Sequence, residues 1–189
     1  MLKKLAYLFA SLVFLSGCAS SHMTKVAPEQ AVVKPEKGKA LVHFMRPSSL
    51  GGAIQSTVYD DTKYIGTVSA YTRVPYQANA GKHLFMVVGE SADFMEAELT
   101  EGKTYYVIVA PRIGLWKARF SLDSAIEMGD QTQVDKWFKE TSEVTTNESG
   151  LAWANENKAD ILKKKEEYLP KWQQKAEGDK QRLKANSGM

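Results

Sequence analysis

Side chains able to do covalent or acid–base chemistry are few: one cysteine, Cys18, and three histidines, His22, His43 and His83, in a chain of 189 residues. A structural zinc site needs about four clustered ligands at short spacings, but His43 and His83 stand 40 residues apart with no neighbouring His or Cys. No Gly-x-Ser-x-Gly elbow marks a serine as a nucleophile. Gly51-Gly52 lacks the Gly-Lys-Ser/Thr ending of a phosphate-cradling loop and reads as a turn. The adjacent Asp60 and Asp61 would point to opposite sides of an extended chain, so they make a poor acid/base pair. Asp93, Glu96 and Glu98 could gather a cation on a rim, although a solvated edge that discourages sheet pairing is the simpler use. The pattern predicts a non-enzymatic protein without catalytic, metal-binding or cofactor-binding residues, with His43 packed in the core and His83 on the surface. The competing expectation is an envelope hydrolase or metal-dependent enzyme, which would have to use His43 or His83.

Cys18 is the one residue whose surroundings give it a reaction. Lys3 and Lys4 precede an uncharged run from Leu5 to Leu15. Spanning the roughly 30 Å core of a bilayer takes about 20 helical residues, so this shorter run reads as an export signal. The stretch Leu15-Ser16-Gly17-Cys18 resembles the lipobox of bacterial lipoproteins. The small residues Ser16 and Gly17 admit a peptidase to the bond between Gly17 and Cys18, and the thiol accepts a diacylglyceryl group. The alternative is an ordinary secretory signal with a coincidental cysteine. The resemblance implies a mature chain starting at Cys18, whose covalent lipid, with palmitate-like acyl chains, is its sole prosthetic group. It also implies the membrane as a partner. Ala19 follows where an aspartate would retain the protein at the inner membrane in enteric-type sorting, so the expected location is the outer membrane, facing the periplasm.

The elements behind this anchor carry little net charge. Of 25 basic and 22 acidic residues, Lys3 and Lys4 leave with the signal, and the near-neutral remainder gives no argument for nucleic acid binding. Residues 18–39 contain Pro28, Pro35 and Gly38 without periodicity and read as a lipidated, flexible linker. A chain of about 20 residues reaches roughly 25 Å on average.

From residue 40 to 124 the pattern predicts β structure. Ala40 to Met45 is a continuous apolar run, as in a strand covered on both faces. Ile54 to Tyr59 and Lys63 to Ser69 flank a short polar turn; Tyr71 to Tyr76, Lys82 to Val88, Phe94 to Leu99 and Thr104 to Val109 follow, and Trp116, Ala118 and Phe120 alternate with basic residues. Such spacing argues for an antiparallel β-sandwich of seven or eight short strands. Residues 125–189 read as a helical C-terminal extension of two helices. The first covers Asp130 to Lys139; a polar break follows at 145–150; the second starts near Leu151 and is kinked by Pro170. From Glu177 the chain reads as a disordered end.

The β region also resembles uncharacterised bacterial lipoproteins that carry a small domain of unknown function, related to PEGA-type β-sandwiches. The likeness rests on the order of Ala40-Leu41-Val42-His43-Phe44-Met45-Arg46-Pro47, Gly51-Gly52, Lys63-Tyr64-Ile65-Gly66, Tyr71-Thr72-Arg73-Val74-Pro75, Gly81-Lys82-His83 and Gly102-Lys103-Thr104-Tyr105-Tyr106. It implies a fold and an extracytoplasmic binding or spacer role, with no catalytic residues. Candidate binding surfaces are the aromatics Tyr71, Tyr76, Tyr105, Tyr106 and Trp116, which offer stacking area with a polar handle, and a basic helical face around Lys164 beside Trp172. Alternate aromatics are expected to face the core. The partner would be an envelope protein or glycan, and a further alternative is an accessory subunit of an outer-membrane assembly or secretion complex.

Overall fold

Continuous apolar runs occur here because both sheets are covered on both faces. A computed structural model describes residues 20–112 and 119–189. The signal segment, Gly17, Cys18 and Trp116 therefore lie outside the described residues. In β2 (Lys39–Arg46), Ala40, Val42 and Phe44 enter the central core, while Met45 on the opposite face meets a second apolar cluster. In β6 (Gly81–Val88), Phe85 and Val87 enter that same core, and Met86 and Val88 face outward into a third cluster.

The described residues form eleven strands in two sheets. The first holds six strands, in the order β1 (Met23–Lys25), β10 (Ser142–Thr146), β5 (Thr72–Asn79), β2, β8 (Thr104–Arg112) and β9 (Arg119–Ser124). The second holds five: β11 (Arg182–Leu183), β7 (Ala92–Leu99), β6, β3 (Ser56–Asp60) and β4 (Lys63–Val68). Side chains from both sheets interdigitate in one core, with Phe44 meeting Phe85 edge-on at 5.1 Å between ring centroids. A mainly β fold with C-terminal helices matches the sequence expectation, but the sheets are mixed where antiparallel pairing was expected. β8 runs parallel to β2, β10 to β5, and β11 to β7. The parallel ladder between β10 and β5 ends at Arg73, short of Pro75, which has no N–H to offer.

Helices cover both outer faces. Two of them, α1 (Ala125–Met128) and α2 (Gln131–Glu140), lie on the six-stranded sheet, where Ala125 and Val134 pack with Met45 and Ile108. On the five-stranded sheet, α3 (Glu148–Glu156) and α4 (Lys158–Gln173) follow, and Ile161 and Trp172 of α4 bury Tyr59, Met86 and Phe94. The extension expected as two helices is thus four helices split between two faces. Its break falls at Asn157, whose Nδ2 donates to the Trp153 carbonyl at 2.8 Å. Pro170 lies near the end of α4, and the helix continues to Gln173. No helix among the described residues is long and apolar enough to cross a membrane.

Two segments expected to be loose are sewn to the sheets. In place of a free linker, β1 pairs with β10, Val26 N–H donates to the Glu143 carbonyl at 2.9 Å, and Gln77 and the 34–36 segment exchange two hydrogen bonds. The sulfur of buried Met23 receives Thr67 N–H at 3.3 Å. At the other end, β11 pairs with β7, and Met189 and Thr104 exchange both backbone hydrogen bonds at 2.9 Å. Gly188 is required there, because a Cβ would stand 2.5 Å from the Tyr105 ring.

Candidate binding surfaces

The outer face of the five-stranded sheet is longer than the helix that covers it. α4 crosses this face from the Gly89 end, where Lys164 Nζ donates to the Gly89 carbonyl at 2.9 Å, toward the Gly81–Leu99 end of the β6–β7 ladder. Beyond its last turn the sheet is uncovered and leaves a half-open groove of about 580 Å³. Leu84, Leu169 and Trp172 supply an apolar floor, and Lys82, Glu96, Glu98, Arg182 and Lys184 supply a rim of both signs. Three of these charges are already paired, Arg182 with Glu96 at 3.1 Å and Lys184 with Glu127 at 2.9 Å. Such a lining fits an amphipathic ligand or peptide with charge of either sign, and it holds no nucleophile next to a base.

His83 lies at the groove's edge, where the order of three strands builds a polar cluster. β3 delivers Asp60, β5 delivers Tyr76 and β6 delivers His83. One oxygen of Asp60 takes both His83 Nδ1 and the Tyr76 hydroxyl, each at 2.8 Å, and His83 Nε2 lies 2.9 Å from the Asn79 carbonyl. Both partners of the ring only accept, so the arrangement suits the imidazolium, which donates from both nitrogens. The hydrogen bond to Asp60 accordingly raises the His83 pKa, against the opposing effect of burial. Burial pushes the Asp60 carboxyl up, but the bonds from His83 and Tyr76 outweigh it and hold the group below its ordinary value. For Tyr76, burial and the neighbouring Asp60 both raise the phenol.

The expected surface exposure of His83 is therefore corrected to a largely covered ion pair, with neither ring nitrogen left as a free base. His43 does pack internally, between Tyr106 and Phe138 at centroid distances of 5.4 and 5.0 Å. Desolvation, with the nearby Arg73 charge, lowers its pKa to about 3 and keeps it neutral. Among the described residues no group of three or more His, Cys, Asp or Glu could hold a metal.

A pH prediction follows from the signs. A raised His83 contributes stability that is complete below its ordinary value of 6.5 and is lost as pH rises through the higher folded value. A depressed Asp60 contributes stability that is complete above its ordinary 3.8 and is lost as pH falls. Thermal stability of the wild type should therefore fall above about pH 6.5, and H83Q should flatten that slope. An unchanged slope in H83Q would show that the cluster does not couple to folding.

The structure does not gather the aromatic candidates into one surface. Tyr71 is exposed, in a turn at φ +55°. Tyr76 is occupied with Asp60, and Tyr106 is covered by Phe138. Tyr105 is fully buried, its hydroxyl accepting from Thr100 N–H and donating to the Ala185 carbonyl. Trp172 is likewise buried, its indole N–H donating to Gln181 at 2.8 Å, and Lys164 is taken by Gly89 and Asp160. Trp172 thus floors the groove instead of presenting a stacking face. Sequence reasoning missed the groove because it needs Arg182 and Lys184 from a segment read as disordered.

Asp61 ion-pairs with Lys165 while Asp60 turns to His83, so the adjacent carboxylates act apart, as expected. Asp93 pairs with Lys175 at 3.0 Å and accepts from Gln181, which fastens the tail in place of a cation.

No family model matches the chain. An uncharacterized protein of Haemophilus influenzae is 24% identical over 128 residues, which cover 66% of this chain and 76% of that protein. The likeness supplies a relative without a role, so function has to be argued from the residues themselves.

Proposed function

We propose that this chain is a lipid-anchored bacterial envelope protein whose domain is a non-enzymatic binding or spacer module, held at the outer membrane and facing the periplasm. The observation that carries this reading is the run from Lys3 to Cys18, in which charge, an apolar stretch, two small residues and the sole cysteine follow in order. Two or more acyl chains, at about 0.8 kcal/mol per buried methylene, hold a protein on a bilayer durably. The occupied ring nitrogens of His83 and the burial of His43 favour binding over catalysis at both histidines. The groove at the end of α4 is the surface that would take the partner, an envelope protein segment or a glycan. Its mixed rim accords with a near-neutral domain and gives no preference for nucleic acid.

The test is direct. Cells grown with labelled palmitate should incorporate label into the wild type and lose it in C18S, which should leave the membrane fraction. Intact mass of the mature wild type should begin at Cys18 and carry the acyl groups. A mature chain beginning elsewhere, or membrane retention by C18S, would overturn the reading.

A further inference from the structure

The chain joins the domain almost as soon as it leaves Cys18. Ser20 is buried; its Oγ accepts from His22 N–H at 3.2 Å and its carbonyl from Met23 N–H at 3.1 Å. The start of α3 clamps the next residues. Asn147 Nδ2 donates to the Ser21 carbonyl at 3.0 Å, Asn147 N–H to the His22 carbonyl at 3.2 Å, and His22 Nδ1 lies 3.2 Å from Ser149 Oγ. Gly150 allows this closeness, since a Cβ there would stand 2.3 Å from the His22 carbonyl oxygen. Only two residue steps separate Cys18 from Ser20, a span of at most about 7 Å. The headgroup layer on one side of a bilayer is about 5–8 Å thick.

The surface around this junction is mixed, with exposed apolar side chains standing among polar and charged ones. His22, Ile54 and Trp153 line a cleft of about 330 Å³ at the Val88 end of the five-stranded sheet. Ile54 is 43% exposed and Leu151, beside Gly150 on α3, is 61% exposed. Ile54 belongs to residues 47–55, which are held rigidly because buried Arg46 donates to the Leu50, Gly51 and Ile54 carbonyls at 2.6 to 2.8 Å. The cleft's charged members, Asp160, Glu90 and Lys164, have mixed signs, so electrostatic attraction does not choose this face. Chain length does.

We propose that the surface around Ser20 to His22, flanked by Ile54 at the cleft and by Leu151 near the start of α3, lies directly on the phospholipid headgroup layer and fixes the orientation of the domain. The inference rests on lipidation at Cys18. It replaces a domain drifting on a flexible 20-residue tether with one seated on the bilayer. It also places the groove, because α4 leads from this cleft, through Asp160 and Ile161, to the groove at Trp172. A helix of that length is about 24 Å long, so the groove lies about that far from the seated cleft.

The test uses full-length lipidated protein in vesicles of phosphatidylethanolamine with a minority of phosphatidylglycerol. A fluorophore is placed on a single introduced cysteine, the native thiol being acylated, in I54C, L151C or E101C. Glu101 is exposed in a turn against Lys39, at the opposite end of β2 from residues 47–55. Nitroxide carried on the lipid headgroup should quench the probes at positions 54 and 151 several-fold more than the probe at 101. Protein that floats with the vesicles but shows equal quenching at all three positions, or the strongest at 101, would overturn the seated orientation while leaving the anchor intact. Protein that does not float would overturn the anchor, and the orientation with it.

Discussion

Residues 40–124 produced alone are expected not to fold. They cover the strands that read most clearly as β, yet they omit β1, β10 and β11, three of the eleven strands among the described residues. They also omit every helix, exposing Tyr59, Met86 and Phe94 on one outer face and Met45 and Ile108 on the other. At about 1.5–3 kcal/mol for each large apolar side chain, those five lose roughly 8–15 kcal/mol of burial, as much as the whole stability of an ordinary domain, about 5–15 kcal/mol. Near-ultraviolet circular dichroism should show no fixed aromatic packing and heating no cooperative transition, while residues 20–189 show both. A cooperative transition in the short fragment would mean the helices are appendages after all.

That boundary explains which parts of the fold were legible. Strands β2 to β8 announce themselves because their apolar residues recur along the chain, and each was expected within a few residues of its place. β10 reads Ser-Glu-Val-Thr-Thr and has no such pattern. Its place is determined by distant groups: Arg73 against Glu143, and Thr146, whose hydroxyl donates to the Ile65 carbonyl. β11 is two residues long and is held by a ladder to β7 and by the Lys175–Asp93 pair. Periodicity measures burial along a segment, so it cannot see a short polar strand whose stabilisation comes from partners more than fifty residues away.

The candidate sites divide in the same way. Burial of Tyr105 was readable, since it alternates with Val107 and Val109, which face the same core, as expected for alternate aromatics. The Asp60–His83–Tyr76 cluster was not readable, because it joins three strands of two different sheets. Mixed pairing was also hidden, since the continuous apolar run of β2 marks a strand covered on both faces without saying which neighbour runs parallel to it. The N-terminal segment from Ser20 to Gly38 is the clearest case. Its Pro and Gly content signals irregular backbone correctly, but irregular backbone can be fastened residue by residue to a neighbour, and here it is.

Glu143 does much of that fastening, and E143A should be among the most damaging single substitutions. Its Oε2 lies 3.6 Å from Arg73 Nε, an ion-pair distance just beyond hydrogen bonding, with both side chains largely buried. Arg73 donates to the Phe138 and Thr141 carbonyls and stacks at 4.0 Å over the Phe138 ring, which binds α2 to the sheet. The other Glu143 oxygen accepts from Val32 N–H at 3.0 Å and so holds the N-terminal segment. Removing this carboxylate strands the Arg73 charge in a low-dielectric site and leaves Val32 N–H without its partner, so a cost of about 3–5 kcal/mol is expected. An R73M/E143A double variant removes the stranded charge as well and should be less destabilised than the sum of the two single changes. Urea unfolding of the four proteins measures both quantities. A cost below about 1 kcal/mol for E143A would place it with exposed pairs and refute the argument. The same variant separates fold stability from orientation at the membrane: E143A frees Val32 N–H, but Val26 N–H keeps its bond to the residue 143 carbonyl and Asn147 keeps its hold on Ser21 and His22. Probes at positions 54 and 151 in anchored E143A should therefore keep their headgroup quenching under conditions where the variant remains folded.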